Sequence, residues 1–118
     1  MKINITHRDF DLTEAISGYA EEKFQSLQKY LNDSQAFINV EIRKTSLHHK
    51  QGNMYEVKAD LNYGSRALHI TNVNEDVYAS IDEAKDKLAD EMAHNGDRER
   101  SLVRSFARRF KKLIKREE

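Results

Sequence analysis

The chain has 118 residues, with 20 Lys+Arg balanced by 20 Asp+Glu; 34% of it is charged and 38% hydrophobic. That is enough apolar material for one compact core and not for two, and no run approaches the roughly 18 apolar residues of a membrane-spanning helix. Cysteine and proline are absent, which excludes a disulfide framework, a zinc knuckle, a thiol nucleophile and Pro-rich docking segments.

The N-terminal Met1-Lys2-Ile3-Asn4-Ile5 enters strand-like alternation at once, with no secretory apolar region, so a single soluble cytoplasmic domain is expected. Residues 2–6 predict a short strand with Ile3 and Ile5 on one face. Asp11 to Thr13 then supplies helix-start chemistry, either as an Asp11/Glu14 capping box or with Thr13 as the cap. Ile16, Tyr19, Ala20, Phe24, Leu27 and Leu31 recur at three and four residues, which predicts one helix of about five turns, ended by Asn32-Asp33-Ser34. Gly18 lies inside it at a cost of roughly 1 kcal/mol.

Ala36 to Lys44 alternates, with Ile38, Val40 and Ile42 facing one way. Residues 45–53 read as a polar loop, and Tyr55 to Tyr63 alternates again. Gly64-Ser65 predicts a tight hairpin into Ala67 to Thr71, with Leu68 and Ile70 inward. Each strand has one polar face, so the sheet is expected to be largely antiparallel and covered on one side. Asn74-Glu75-Asp76 starts a second helix whose buried stripe is Tyr78, Ile81, Ala84, Leu88 and Met92, and Asn95-Gly96 is a C-cap signal. Leu102, Val103, Phe106, Phe110, Leu113 and Ile114 form a third stripe among arginines and lysines. The expected fold class is α+β, ordered β-α-β-β-β-α, with two helices on one face of a four-stranded sheet and a basic amphipathic C-terminal helix.

Formal neutrality hides an asymmetry. Residues 1–96 hold 11 basic and 16 acidic side chains, a net −5, whereas residues 97–118 hold 9 and 4, a net +5. The expected division is therefore a 1–96 domain and a 97–118 extension. A basic amphipathic segment can lie on an anionic membrane, pair with a partner helix, clamp phosphates or dock on its own domain. In the body, Lys23 and Lys29 flank the first helix's stripe, and Lys85 and Lys87 sit on the second. With the helices side by side, these four would join Arg98, Arg100 and Arg104 as one cationic surface for nucleic-acid backbone. The polar sheet face carries Asn39, Glu41, Lys58 and Asp60 rather than an aromatic stacking platform, so shape and backbone recognition are expected over base reading.

Nothing in the pattern calls for an enzyme. His7, His48, His49, His69 and His94 lack metal-ligand spacing, and no nucleophile elbow, P-loop or dinucleotide fingerprint occurs. Neither metal nor cofactor is expected, nor a small-molecule substrate.

Ile3-Asn4-Ile5, Thr13-Glu14-Ala15-Ile16, Tyr19-Ala20, Lys23-Phe24, Leu27 and Lys29-Tyr30, with Glu75 to Asp82 running on to Asp86-Lys87-Leu88, resemble the ribosome hibernation factors, the sigma modulation protein family. The likeness covers roughly residues 1–96, and His94 with Gly96 is similar to the branch of ribosome-associated inhibitor A. It implies a fold akin to double-stranded RNA-binding domains. It also implies binding to the small ribosomal subunit and its rRNA near the decoding centre, where the protein would exclude mRNA and tRNA without chemistry or cofactor. By position, Lys23, Lys29 and Lys87 match basic positions of the family, and Arg98 and Arg100 its post-helix basic cluster. Where the family tends to place Arg or Lys, this chain has Ala89-Asp90-Glu91-Met92, for which the basic surplus of 97–118 would compensate. No second domain of the long-form kind is expected. A monomer is expected, and the alternative function is an interaction module whose tail dimerises or coats a membrane surface.

Overall fold

Alternation and helical periodicity resolve into six main elements in the computed structural model, which describes residues 1–31, 35–45 and 52–96, the last two by backbone alone. They are β1 (Lys2–Arg8), α1 (Glu14–Gln25) continued by a 3-10 turn (Ser26–Tyr30), β2 (Phe37–Thr45), β3 (Met54–Tyr63), β4 (Arg66–Asn74) and α2 (Val77–Gly96). The expected stop at Asn32-Asp33-Ser34, the histidine pair His48-His49 and the whole of 97–118 lie outside the described residues. By contacts the chain forms two units, Met1–Leu88 and Ala89–Glu118. The first holds the sheet, α1 and the opening turns of α2; of the second, only the turns of α2 through Gly96 are described.

The sheet order is β1-β2-β3-β4. β1 and β2 are parallel, joined by α1 as a crossover, and the other two pairings are antiparallel. The sheet is thus mixed, because a helix between the first two strands returns the chain to the end at which β1 began. Gly64 has φ +58 between the paired Tyr63 and Arg66. Positive φ at the first central residue of a two-residue loop matches the strand twist, and glycine adopts it freely.

The core lies between the sheet and the helices. Ile38, Val40, Ile42, Val57, Ala59 and Leu61 of the sheet are at most 1% exposed, as are Ala20, Phe24, Leu27, Ile81, Ala84 and Leu88 of the helical layer. Truncating one of the larger of these to alanine would cost about 2–5 kcal/mol. The opposite face is polar: Arg8 pairs with Glu41 at 3.7 Å, Arg43 with Glu56 at 3.2 Å, and Asp60 with the exposed His69.

Two helix details differ from the sequence reading. The five-turn helix is an α-helix that tightens into a 3-10 turn, with the Ser26 hydroxyl donating to the Lys23 carbonyl at 2.6 Å where winding changes. Both forms keep Phe24 and Leu27 inward, so spacing alone does not separate them. In α2, Val77 takes the inward place expected of Tyr78, which is 37% exposed and turned toward α1. Between the two capping schemes the structure selects Thr13, whose hydroxyl accepts from the Ile16 amide at 3.1 Å.

Candidate nucleic-acid interface

Residues four apart share a helix flank, and α1 and α2 meet through such residues. Tyr19 and Lys23 lie one turn apart on α1, and Tyr78 and Asp82 one turn apart on α2. The Tyr19 and Tyr78 rings stack edge to face at 4.9 Å. The Tyr19 hydroxyl donates to Asp82 Oδ1 at 2.7 Å, and the Lys23 ammonium lies 3.4 Å from the same oxygen and 5.4 Å from the Tyr19 ring centre. Its hydrogen bond to Asp82 holds the Tyr19 hydroxyl above its ordinary pKa, and the contact with Asp82 does the same for the Lys23 ammonium. Lys23 and Asp82 side chains are 37% and 41% exposed, so water screens their attraction and a competing anion has access to the ammonium.

The other flank of α2 faces β4 and is built for permanence. Asp76 Oδ1 accepts from the Tyr78 amide at 3.1 Å and caps the helix start. Ser80 is fully buried; its hydroxyl donates to the Tyr55 carbonyl at 2.9 Å. The buried Asn72 amide donates to Ser80 and, at 2.7 Å, to Glu83 Oε1, on which the Asn74 amide also converges. These donors, Asn72 first and then Asn74, hold the Glu83 carboxyl below its ordinary pKa. Lys87, one turn on, donates to the Thr71 carbonyl at 3.0 Å.

The sequence-predicted lysines thus occupy separate places. Lys23 lies in the interhelical groove. Lys85 is on the α1-facing flank of α2, one turn from Asp82, with its ammonium 3.0 Å from Asp86. Lys87, 200° further round the helix, projects toward β4. Lys29 sits on the 3-10 turn over the Tyr30 ring at 5.3 Å. Arg98, Arg100 and Arg104 lie outside the described residues. Lys23 and Lys85 share one groove and are each matched by an aspartate; Lys29 and Lys87 lie apart from them. The charge of the described helical layer follows: Glu14, Glu21 and Glu22 oppose Lys23 on α1, and Asp82, Glu83 and Asp86 oppose Lys85 and Lys87 on α2 through Leu88.

Sequence reasoning missed the Tyr19–Asp82–Lys23 clasp, whose members are up to 63 residues apart. The Ser80–Asn72 network carried a signal: Asn72 follows Leu68 and Ile70 at an inward strand position, where a polar residue needs a partner. Among the described residues no group of three or more His, Asp or Glu is placed to hold a metal ion, and none of their helices is long and apolar enough to cross a membrane.

Comparison with known proteins sets this geometry in a family. The family model described as Sigma 54 modulation protein / S30EA ribosomal protein matches residues 3–100. The chain is 26% identical over 99 residues to the ribosome hibernation promoting factor of Escherichia coli (strain K12), covering 83% of this chain and 96% of that one. It is 30% identical over 88 residues to the protein of that name from Azotobacter vinelandii, covering 75% and 76%. Among solved structures, the N-terminal domain of Thermus thermophilus Protein Y superposes with a TM-score of 0.65 over 78% of this chain and 96% of that one, at 22% identity, a likeness of fold. On the match over residues 3–100, the chain belongs to the Sigma 54 modulation protein / S30EA ribosomal protein family.

Proposed function

We propose that this protein is a ribosome-associated inhibitor of translation that acts in the cytoplasm by occupancy rather than chemistry. It binds the small ribosomal subunit near the decoding centre, contacts rRNA mainly through phosphates, and excludes mRNA and tRNA sterically. The observation that carries this reading is the alignment, over 83% of the chain, with a protein named ribosome hibernation promoting factor.

The geometry supports a backbone-contact mechanism. Phosphate binding needs cations that can leave their present partners, and the exposed Lys23–Asp82 pair meets that condition. When rRNA approaches, a phosphate oxygen replaces the carboxylate on Lys23, while the buried Ser80 network keeps α2 seated on the sheet. The domain of residues 1–96 supplies shape and register. The basic extension of 97–118, with Arg98, Arg100 and Arg104, supplies the long-range attraction that the acidic helical layer lacks.

The test is to add purified full-length protein to washed small subunits and to a translating extract. Co-sedimentation with the small subunit together with inhibited peptide synthesis is the expected outcome. Protein left at the top of the gradient, with translation unaffected, overturns the reading. Self-association or vesicle flotation without subunit binding would instead mark the tail as an assembly or membrane-surface device.

A further inference from the structure

The starts of β1 and β2 and the 3-10 turn converge at one end of the sheet. The Lys2 amide donates to the Ala36 carbonyl at 3.0 Å, and the Met1 nitrogen donates to the Gln28 side chain. On the open face Lys2, Phe37, Asn62 and Ala67 stand in register as one row across all four strands. Phe37 is 42% exposed there. Just past Gln28, the Lys29 ammonium lies over the ring of Tyr30, which at 54% is the most exposed of the large hydrophobic side chains described.

This end differs in charge from the rest of the described open face. The rows Asn4-Asn39-Asp60-His69, Thr6-Glu41-Lys58-Thr71 and Arg8-Arg43-Glu56-Val73 each contain a carboxylate, and those carboxylates engage Arg8, Arg43 and His69. The row of Lys2 and Phe37 contains none, and neither does Ser26–Tyr30. The helical groove also differs, because Asp82 and Asp86 already answer Lys23 and Lys85. A lysine accompanies an exposed aromatic ring at two places, Lys2 with Phe37 on the open face and Lys29 with Tyr30 on the 3-10 turn of the helical layer. Neither that row nor that turn contains an acid, and each pair matches what an unpaired nucleotide requires. A ring stacks on the base face, and ammonium groups neutralise the flanking phosphates.

We infer that this sheet end is a second RNA contact, specific for single strands: Phe37 and Tyr30 are stacking surfaces for unpaired bases, and Lys2 and Lys29 take the adjoining phosphates. The inference rests on the ribosome reading for its biological ligand, an unpaired rRNA segment, but its chemistry stands alone. It adds a sequence-tolerant stacking element to a protein whose sequence suggested backbone recognition only.

The experiment uses the full-length protein, labelled with nitrogen-15, titrated with an unstructured ten-nucleotide RNA and separately with a duplex of equal length. Because the basic tail attracts any polyanion, the deciding readout is where the amide resonances move. The single strand is expected to shift Lys2, Lys29, Tyr30, Phe37 and Asn62, and the duplex to leave them in place. Phe37→Ala and Tyr30→Ala, both at exposed positions, are expected to weaken single-strand binding by about tenfold each, the size of one lost base–aromatic stack; Phe37→Trp is expected to restore it. Unmoved resonances at this end, or alanine variants that bind like the parent, overturn the inference. If that happens in protein that still sediments with small subunits, this inference alone fails; absence of subunit binding in the parent sinks the ribosome reading instead.

Discussion

The two flanks of α2 carry similar polar side chains to opposite ends. Toward β4, Ser80 is fully buried, its hydroxyl bonded to Tyr55 and its neighbours Asn72 and Glu83 bonded to each other. Toward α1, Asp82 holds Lys23 and Tyr19 at the surface, where both charges remain in water's reach. Burial makes the difference. A buried polar group must keep its partner, whereas an exposed ion pair can trade its partner at little cost. The segment Glu75 to Asp82 thus contributes a structural lock through Ser80 on one side and, on the other, the carboxylate of Asp82 that holds the exchangeable cation Lys23.

Ser80→Ala breaks the lock and should have the largest effect. It removes one donor from the Tyr55 carbonyl and one partner from the Asn72 side chain, a loss of about 1–3 kcal/mol. By calorimetry that appears as a melting point lower by about 5–20 °C. Below the transition, subunit binding should keep its parental salt dependence. A melting point within a degree of the parent would show that the lock carries no stability.

Asp82→Asn sharpens the contrast from the other side. It frees Lys23 while leaving a hydrogen-bonding group for Tyr19, so subunit affinity should rise by about two- to fivefold, an exposed pair's worth. Weaker binding by a normally folded variant would mean that Asp82 orients Lys23 for RNA rather than competing with it.

pH separates the flanks more gently. The Glu83 carboxyl is held below its ordinary value of 4.5 by Asn72 and Asn74. Its contribution to stability is therefore complete above that value and is lost as pH falls through the lower folded value. Lys23 and Tyr19 are held above 10.5 and 10.0 by Asp82. Theirs is complete below about 10 and is lost as pH rises through the higher folded values. Melting curves across pH should show Glu83→Gln flattening the acid limb while leaving the alkaline limb as in the parent, and Asp82→Asn flattening the alkaline limb. An alkaline limb altered by Glu83→Gln, or unaltered by Asp82→Asn, would contradict the separation.

Periodicity made the fold legible because burial writes itself locally: Ile38, Val40 and Ile42, or Ile81, Ala84 and Leu88, repeat at the period of their element and are buried together. What periodicity cannot carry is pairing direction and winding. The parallel β1–β2 pairing and the tightening after Gln25 leave the apolar spacing unchanged. Tyr78 was misread because an aromatic at the helix start fits a stripe, yet Val77 fits the inward angle better. The site was legible as residue types but not as partners. The pair Lys85–Asp86 is adjacent in sequence, whereas Lys23 meets Asp82 only through folding. Lys2 with Phe37 becomes visible only once β1 and β2 are in register.

If this family member grips rRNA through phosphates, its binding to small subunits must depend steeply on salt. Measured by sedimentation between about 50 and 200 mM monovalent salt, the logarithm of the affinity should fall linearly with the logarithm of salt concentration. The slope should shrink by about one for each contacting cation removed, Lys23→Gln included. Affinity that is flat across that range, or a slope unchanged by removing Lys23, would contradict the phosphate grip.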